Sequence, residues 1–226
     1  MSKHRSIAID GPSGAGKSTL AKQLAEKLGF LYVDTGAIYR TVGLQAFRTG
    51  TNPEDGAGVI ALLKDLNIHL AYGTDGLQHM YLNGEDVTEE IRRHEISAYA
   101  SSVSAIPEVR AFLLEQQRSL ARSHDVVMDG RDIGTVVLPE ADVKIFLTAA
   151  PEARARRRWL ELKQRGQETA FDTVLRDVLE RDERDINRAT APLRQAEDAV
   201  LADTTDMDLE QSLTLLINIA KERLQA

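Results

Sequence analysis

Cysteine is absent from this 226-residue sequence. That removes a disulfide framework, a thiol nucleophile and a cysteine metal site, and it suits a reducing compartment. An excess of positive charge is missing too: 28 Lys and Arg stand against 35 Asp and Glu, a formal net charge of −7. Nucleic-acid backbones are bound by net basic surfaces, so a general affinity for DNA or RNA is not expected. Nor does the chain open on a long apolar run. Met1 to Arg5 lead straight into a short strand containing Asp10, which is neither a signal peptide nor a membrane span. Repeats and low-complexity stretches are lacking as well. What is left is a chain expected to be cytoplasmic, 42% apolar, with length for one sizeable domain or a core with a small inserted lobe.

The most informative stretch runs from Ser6 to Leu28. Ile7, Ala8 and Ile9 make an apolar strand, and Leu20, Ala21, Leu24, Ala25 and Leu28 repeat at helical spacing. Between them stands Gly11-Pro12-Ser13-Gly14-Ala15-Gly16-Lys17-Ser18, the full phosphate-loop pattern in the strand-turn-helix setting it requires. Phosphate approaches main-chain N–H groups closely only where no Cβ intrudes and unusual φ angles are allowed, which glycines supply. The following helix adds unsatisfied N–H groups and the positive end of its dipole. Lys17 is expected to reach the β and γ phosphates of a nucleotide, and the Ser18 hydroxyl to ligate Mg²⁺.

Further along, Phe30 to Val33 reads as a second strand, with Gly29 as helix C-cap. It ends in Asp34-Thr35-Gly36-Ala37-Ile38-Tyr39-Arg40. Ligands of open α/β sheets lie beyond the carboxyl ends of the strands, so Thr35 and Arg40 are candidates to touch a second substrate. Helix capping is an equally open reading for Asp34 and Thr35, and solvation for Arg40. A helical pattern covers Val59 to Leu66. Ile68, Leu70 and Tyr72 then alternate with polar residues, Gly73-Thr74-Asp75-Gly76 turns, and Leu77 to Leu82 returns, an antiparallel meander that interrupts the βα order. Residues 43–100 are accordingly expected to form an inserted lobe, and 1–42 with 101–226 the core. Helical patterns follow over Glu89–Ser104 and Pro107–Ser123; on spacing alone Ser101 and Arg110 lie off the apolar stripes and read as solvated. Val126 to Met128 is a third core strand, ending in Asp129-Gly130-Arg131-Asp132, charges that are costly there without a ligand or metal. Val143–Leu147 and Ala199–Ala202 are the fourth and fifth strands, and an amphipathic helix closes the chain. Five strands alternating with helices imply a parallel, doubly wound sheet.

Residues 151–165 are helical in character and crowded with Arg154, Arg156, Arg157, Arg158 and Arg165. In the next helix, expected over Phe171–Arg188, Val174, Val178, Arg181, Asp185 and Arg188 share one side. Such a pair could be a solvated hairpin stitched by ion pairs, or a nucleic-acid patch, although interleaved acids disfavour the latter. The third reading is a helical lid of about residues 151–168, its arginines facing two phosphorylated substrates.

Taken in order, GPSGAGKST, DTGAIYR, DGRDIGTVV, EARARRR and ERDERDINRA resemble the bacterial cytidylate kinases of the nucleoside monophosphate kinase group. The resemblance covers nearly the whole chain. It implies a three-layer P-loop kinase fold with a five-stranded parallel sheet, an inserted acceptor lobe with a small antiparallel sheet, and a helical lid. It further implies a monomer that moves the γ-phosphoryl group of ATP to CMP or dCMP with Mg²⁺. ATP would lie on Gly11, Pro12, Ser13, Gly14, Ala15, Gly16, Lys17, Ser18 and Thr19, with Arg154 and Arg157 from the lid, of which Arg158 is the third arginine. The acceptor phosphate would be held by Arg40, Arg131 and Arg188, the base read by Ser101, Arg110 and Asp132, and the sugar met by Arg181 and Asp185. Lys17, Arg131, Arg157, Arg158 and Arg188 would carry catalysis, and Asp129 would orient Mg²⁺ waters. Two positions depart from the family's common pattern: Thr35, where Ser is frequent, and Ser18, where many relatives have Gly.

Overall fold

The computed structural model describes residues 4–73, 77–164 and 166–225. In chain order the elements are β1 (Ser6–Asp10), α1 (Lys17–Leu28), β2 (Leu31–Asp34), α2 (Thr35–Arg48), α3 (Gly56–Leu63), β3 (Ile68–Tyr72), β4 (Gln78–Leu82), β5 (Glu85–Asp86), α4 (His94–Val103), α5 (Pro107–Ser123), β6 (Val126–Gly130), β7 (Val143–Thr148), α6 (Pro151–Gln164), α7 (Phe171–Asn187), β8 (Val200–Asp203) and α8 (Leu209–Gln225). Five strands form a sheet in the order β2-β6-β1-β7-β8. β1 runs parallel to β6 and β7, setting Asp10 beside Gly130, and β8 runs parallel to β7. The continuous apolar runs of β1 and β6 are buried throughout, as strands covered on both faces must be. On one face, Leu20, Ala21, Leu24 and Ala25 of α1 and Leu216, Ile219 and Ala220 of α8 pack on Ile7, Ile9, Val143, Ile145 and Leu147.

The chain divides into two compact units: Met1–Tyr32 with Ala121–Ala226, and Val33–Leu120. The second is wider than the lobe of 43–100 expected from the strand meander, and the reason lies in α2. Gly43 of α2 is so close to α4 that a Cβ there would sit 2.9 Å from the Ala100 amide nitrogen, and Val42, Leu44, Ile96 and Val103 are buried beside it. Helix α2 therefore belongs to the packing of the lobe. There β3, β4 and β5 make the small antiparallel sheet, with Ile68, Leu70, Met80 and Leu82 buried along one face. Residues 74–76 of the turn expected between β3 and β4 lie outside the described residues.

The helix expected over Glu89–Ser104 is instead a 3-10 turn at Glu90–Arg92 followed by α4, because Arg93 between them is extended (φ −60°, ψ 147°). Ile91, 2% exposed, pins that turn. Helices α6 and α7 share a satellite core of Ala155, Val174 and Val178, against which Trp159 and Phe171 meet edge to face at 6.5 Å. Trp159 donates its indole N–H to the Thr169 carbonyl, fixing the connection between the two helices. Arg165 lies outside the described residues.

Candidate active site

Between β1 and α1 the backbone takes up conformations that side chains forbid. Gly11 has φ +152°, and a Cβ there would come within 1.9 Å of the Leu147 carbonyl oxygen, so the loop turns against β7 at a distance only glycine permits. Gly16, at φ +86°, is the N-cap of α1, which starts at Lys17 and aims its free N–H groups at the loop. Lys17 is buried and its Nζ donates to the Pro12 carbonyl at 2.7 Å. Burial foremost, and then the charge of Arg131, push its pKa well below the usual lysine range, while Asp129 and Asp185 act the other way. Such an ammonium group is electrostatically short of an anion.

Asp10, the last residue of β1, is 5% exposed and accepts from the backbone N–H groups of Ile133 and Gly134, both at 2.7 Å. It thereby holds a short π-helical turn, Ile133–Val137, directly after Arg131 and Asp132. Burial raises its pKa to about 6 against the opposing effect of those two hydrogen bonds. In the sequence Asp10 reads only as part of a strand; the signal for it is a charge closing an apolar run.

Ser18 donates its hydroxyl to Asp129 Oδ2 at 3.0 Å, and Tyr32 donates to Asp129 Oδ1 at 2.9 Å. The two residues expected to serve a metal are thus brought together, and Tyr32, which the sequence did not single out, fixes the carboxylate. A hydroxyl beside a carboxylate is a donor set suited to Mg²⁺, which takes few protein oxygens and leaves its other positions to phosphates and water. Among the described residues no group of three or more His, Asp or Glu could form an all-protein cage.

The arginines of α6 take three different places. Arg154, 2% exposed, donates to the Ala149 carbonyl, the Ser13 carbonyl and both oxygens of Asp182, tying α6 to α7 and to the phosphate loop. Arg157 donates to the Thr204 carbonyl at 2.6 Å, and Arg158 pairs with Glu161 on the helix surface. Beside Arg157 a cleft of about 760 Å³ is lined by Arg156, Trp159 and Phe171 and, from the segment after β8, Thr205 and Met207. Neither Thr205 nor Met207 was legible as a site residue, because nothing local in the sequence marks the segment after a last strand.

On the carboxyl side of β6, Arg131 Nε donates to Asp185 Oδ2 at 2.7 Å, and Arg188 donates to Asp132 at 3.3 Å and to the Ala191 carbonyl at 2.6 Å. Burial pushes Asp185 up, but Arg131, together with Arg181 and Arg188, outweighs it and holds the carboxyl below its ordinary value. The shared side of Val174, Val178, Arg181, Asp185 and Arg188 therefore ends in a charged cluster built with β6.

The lobe carries the remaining candidates. Asp34 is the N-cap of α2, accepting from the Ala37 N–H, and its second oxygen accepts from Arg40 Nη2 at 2.8 Å. Capping is therefore Asp34's local role, while Thr35, 3% exposed, opens the helix. Arg40 is held by that carboxylate rather than lying free in solvent, and its Nε is buried with no hydrogen-bond partner among the described residues. Arg110 is not solvated as its spacing suggested. It is 8% exposed, donates to the Ser104 carbonyl and lies over the Tyr39 ring at 5.5 Å, on the inward face of α5 that also carries Leu113 and Gln117. Ser101 stands at the same corner, its carbonyl accepting from the Ser104 hydroxyl.

A phosphate loop of this geometry serves many phosphotransferases, and comparison with known proteins separates them. The family described as "Cytidylate kinase" matches residues 7–222. The chain belongs to the cytidylate kinase family. A cytidylate kinase of Carboxydothermus hydrogenoformans is 51% identical over 213 residues, 94% of this chain and 96% of that protein. One from Geobacter sulfurreducens is 50% identical over 220 residues, 97% of this chain and 94% of that protein. In fold, the chain is similar to the crystal structure of an uncharacterized protein from Eubacterium ventriosum, with a TM-score of 0.53 at 12% identity and coverage of 95% and 97%. Every candidate from Gly11 to Arg188 lies within the stretch that matches the cytidylate kinase family.

Proposed function

We propose that this member of the family transfers the γ-phosphoryl group of ATP to CMP or dCMP, giving ADP and CDP or dCDP. The observation that carries the reading is a complete phosphate loop, with Ser18 and Asp129 joined beneath it, in a chain half identical to cytidylate kinases over nearly its full length. The loop N–H groups, the start of α1 and Lys17 hold the donor phosphates. The donor base and sugar take the cleft beside Arg157, where Trp159, Phe171 and Met207 offer apolar surface. Ser18 and Asp129 would hold Mg²⁺, the hydroxyl as a ligand and the carboxylate through water, and the ion would supply positive charge to the phosphates.

In the lobe, Arg40 meets the acceptor phosphate, and Ser101 and Arg110 meet the acceptors of cytosine. In the core, Arg131 and Arg188 meet that phosphate, Asp132 accepts from the cytosine amine, and Arg181 and Asp185 meet the sugar. Uracil replaces the amine with a carbonyl, which leaves an aspartate facing it unpaired, a cost of about 1–3 kcal/mol. The acceptor's phosphate oxygen is already anionic near neutral pH and attacks the γ-phosphorus directly as the bond to the β-bridging oxygen breaks. No general base is required. Lys17 and the arginines supply positioning and charge, and Arg154, braced by Asp182, sets α6 over the loop so that Arg157 and Arg158 can follow the lid. We read the protein as a cytoplasmic monomer with no nucleic-acid or membrane partner; the net charge of −7 supports the first exclusion, and no helix among the described residues is long and apolar enough to cross a membrane.

Initial rates over a grid of ATP and CMP concentrations test the direct transfer. Intersecting double-reciprocal lines with CDP as product are expected; parallel lines, which report a phosphorylated enzyme, would overturn it.

A further inference from the structure

The roles proposed above leave the sheet β3-β4-β5 without a task, yet one of its side chains reaches the support of Arg40. Gln78, the first residue of β4, accepts from the Asp34 N–H through Oε1 at 2.8 Å and donates from Nε2 to the Asp34 carbonyl at 3.3 Å. Its amide pairs with both backbone groups of one residue, as a neighbouring strand would. Asp34 in turn uses its two carboxylate oxygens separately, Oδ1 on the Ala37 N–H and Oδ2 on Arg40 Nη2.

The arrangement has little slack. A Cβ on Gly36 would stand 3.0 Å from Asp34 Oδ1 and 3.3 Å from Arg40 Nη1, so carboxylate and guanidinium close around a position with no side chain. The far end is anchored as well. Gln78 is paired in register with Tyr72, and Met80, two residues on, is 1% exposed with its N–H bonded to the Thr88 hydroxyl. A path of hydrogen bonds thus runs from the inserted sheet through Gln78 and Asp34 to Arg40.

We propose that Gln78 is a positioning residue for the acceptor phosphate: it fixes the backbone of Asp34, whose carboxylate then holds the Arg40 guanidinium ready for the anion. The inserted sheet is, on this account, a brace for that arginine. The inference rests on the assignment of Arg40 to the acceptor phosphate, and the test separates the two.

Calorimetric binding of CMP and of cytidine, which lacks the phosphate, is compared in wild type, Gln78→Leu, Arg40→Ala and the double variant. Two lost hydrogen bonds predict about tenfold weaker CMP binding in Gln78→Leu. Cytidine binding should stay within about twofold, since the effect acts only through the phosphate. In the Arg40→Ala background the second substitution should change nothing further. Gln78→Glu, which keeps the acceptor and loses the donor, should fall between wild type and Gln78→Leu, and it serves if the leucine variant folds poorly. Equal losses for CMP and cytidine, or undiminished loss in the Arg40→Ala background, would overturn the role of Gln78. If Arg40→Ala alone leaves CMP binding unchanged, the assignment of Arg40 falls and the inference with it.

Discussion

The proposed donor and acceptor sites meet the same chemical problem, a dense negative charge, by opposite means. On the donor side the loop from Gly11 to Ser18 offers backbone N–H groups and a helix N-terminus, and the residue types are dictated by where a Cβ cannot fit. On the acceptor side every proposed phosphate arginine is gripped by a carboxylate: Arg40 by Asp34, Arg131 by Asp185 and Arg188 by Asp132. A backbone nest is rigid through its own geometry. A long guanidinium is rigid only if something holds it, and holding lowers the entropy it loses when the ligand arrives. On the proposed reading the carboxylates serve two ends, neutralising the arginines while the acceptor is absent and aiming them.

Three substitutions probe that contrast. The largest effect belongs to Lys17→Ala, expected to lower kcat by about a thousandfold. Because burial and Arg131 already disfavour its charge, the thermal midpoint should hold steady or rise. Initial rates beside scanning calorimetry read both, and a rate loss under about tenfold breaks the donor half of the comparison.

Asp185→Ala should show the opposite signature, stability and acceptor binding failing together. It leaves Arg131, whose side chain is 19% exposed, without its carboxylate. Breaking such a buried pair costs about 3 kcal/mol, measurable by urea unfolding. An unchanged midpoint would mean that the arginine needs no such grip.

The smallest effect is the pH dependence due to Asp10. In the unfolded chain its carboxyl loses its proton near 3.8, whereas in the folded chain burial keeps it protonated to about 6. Between these values the folded state binds more protons, so stability falls as pH rises and levels off above about 6. The difference in unfolding free energy between wild type and Asp10→Asn should thus decline by about 2 kcal/mol from pH 4 to 6. A flat difference would show that the hydrogen bonds to Ile133 and Gly134 fully offset the burial, making the turn after Asp132 insensitive to pH.

The same contrast explains what could be read from the sequence. The phosphate loop occupies consecutive residues, and its strand, turn and helix are set by local periodicity, so its position and its element boundaries were legible at once. The five strands were legible for the same reason, being short apolar runs between turns. The grips were not: Arg131 and Asp185 are 54 positions apart, and Arg188 and Asp132 are 56 apart. No spacing rule connects such pairs, and Arg110 was read as solvated because the inward face of α5 runs through Val109, Leu113 and Gln117 and leaves Phe112 exposed, which the apolar spacing did not show. The compact unit Val33–Leu120 extends past the expected 43–100 at both ends, since the packing of α2 on α4 brings Gly43 against Ala100, more than 50 residues on, and leaves no local mark in the sequence.

The central claim is that this architecture phosphorylates a cytidine monophosphate. ADP formation from ATP and Mg²⁺, with CMP, dCMP, UMP, AMP and GMP offered separately, tests it most directly. CMP and dCMP should be clearly the fastest acceptors, with UMP slower by about tenfold or more. No turnover with any of the five, or a faster rate with a purine, would contradict the account.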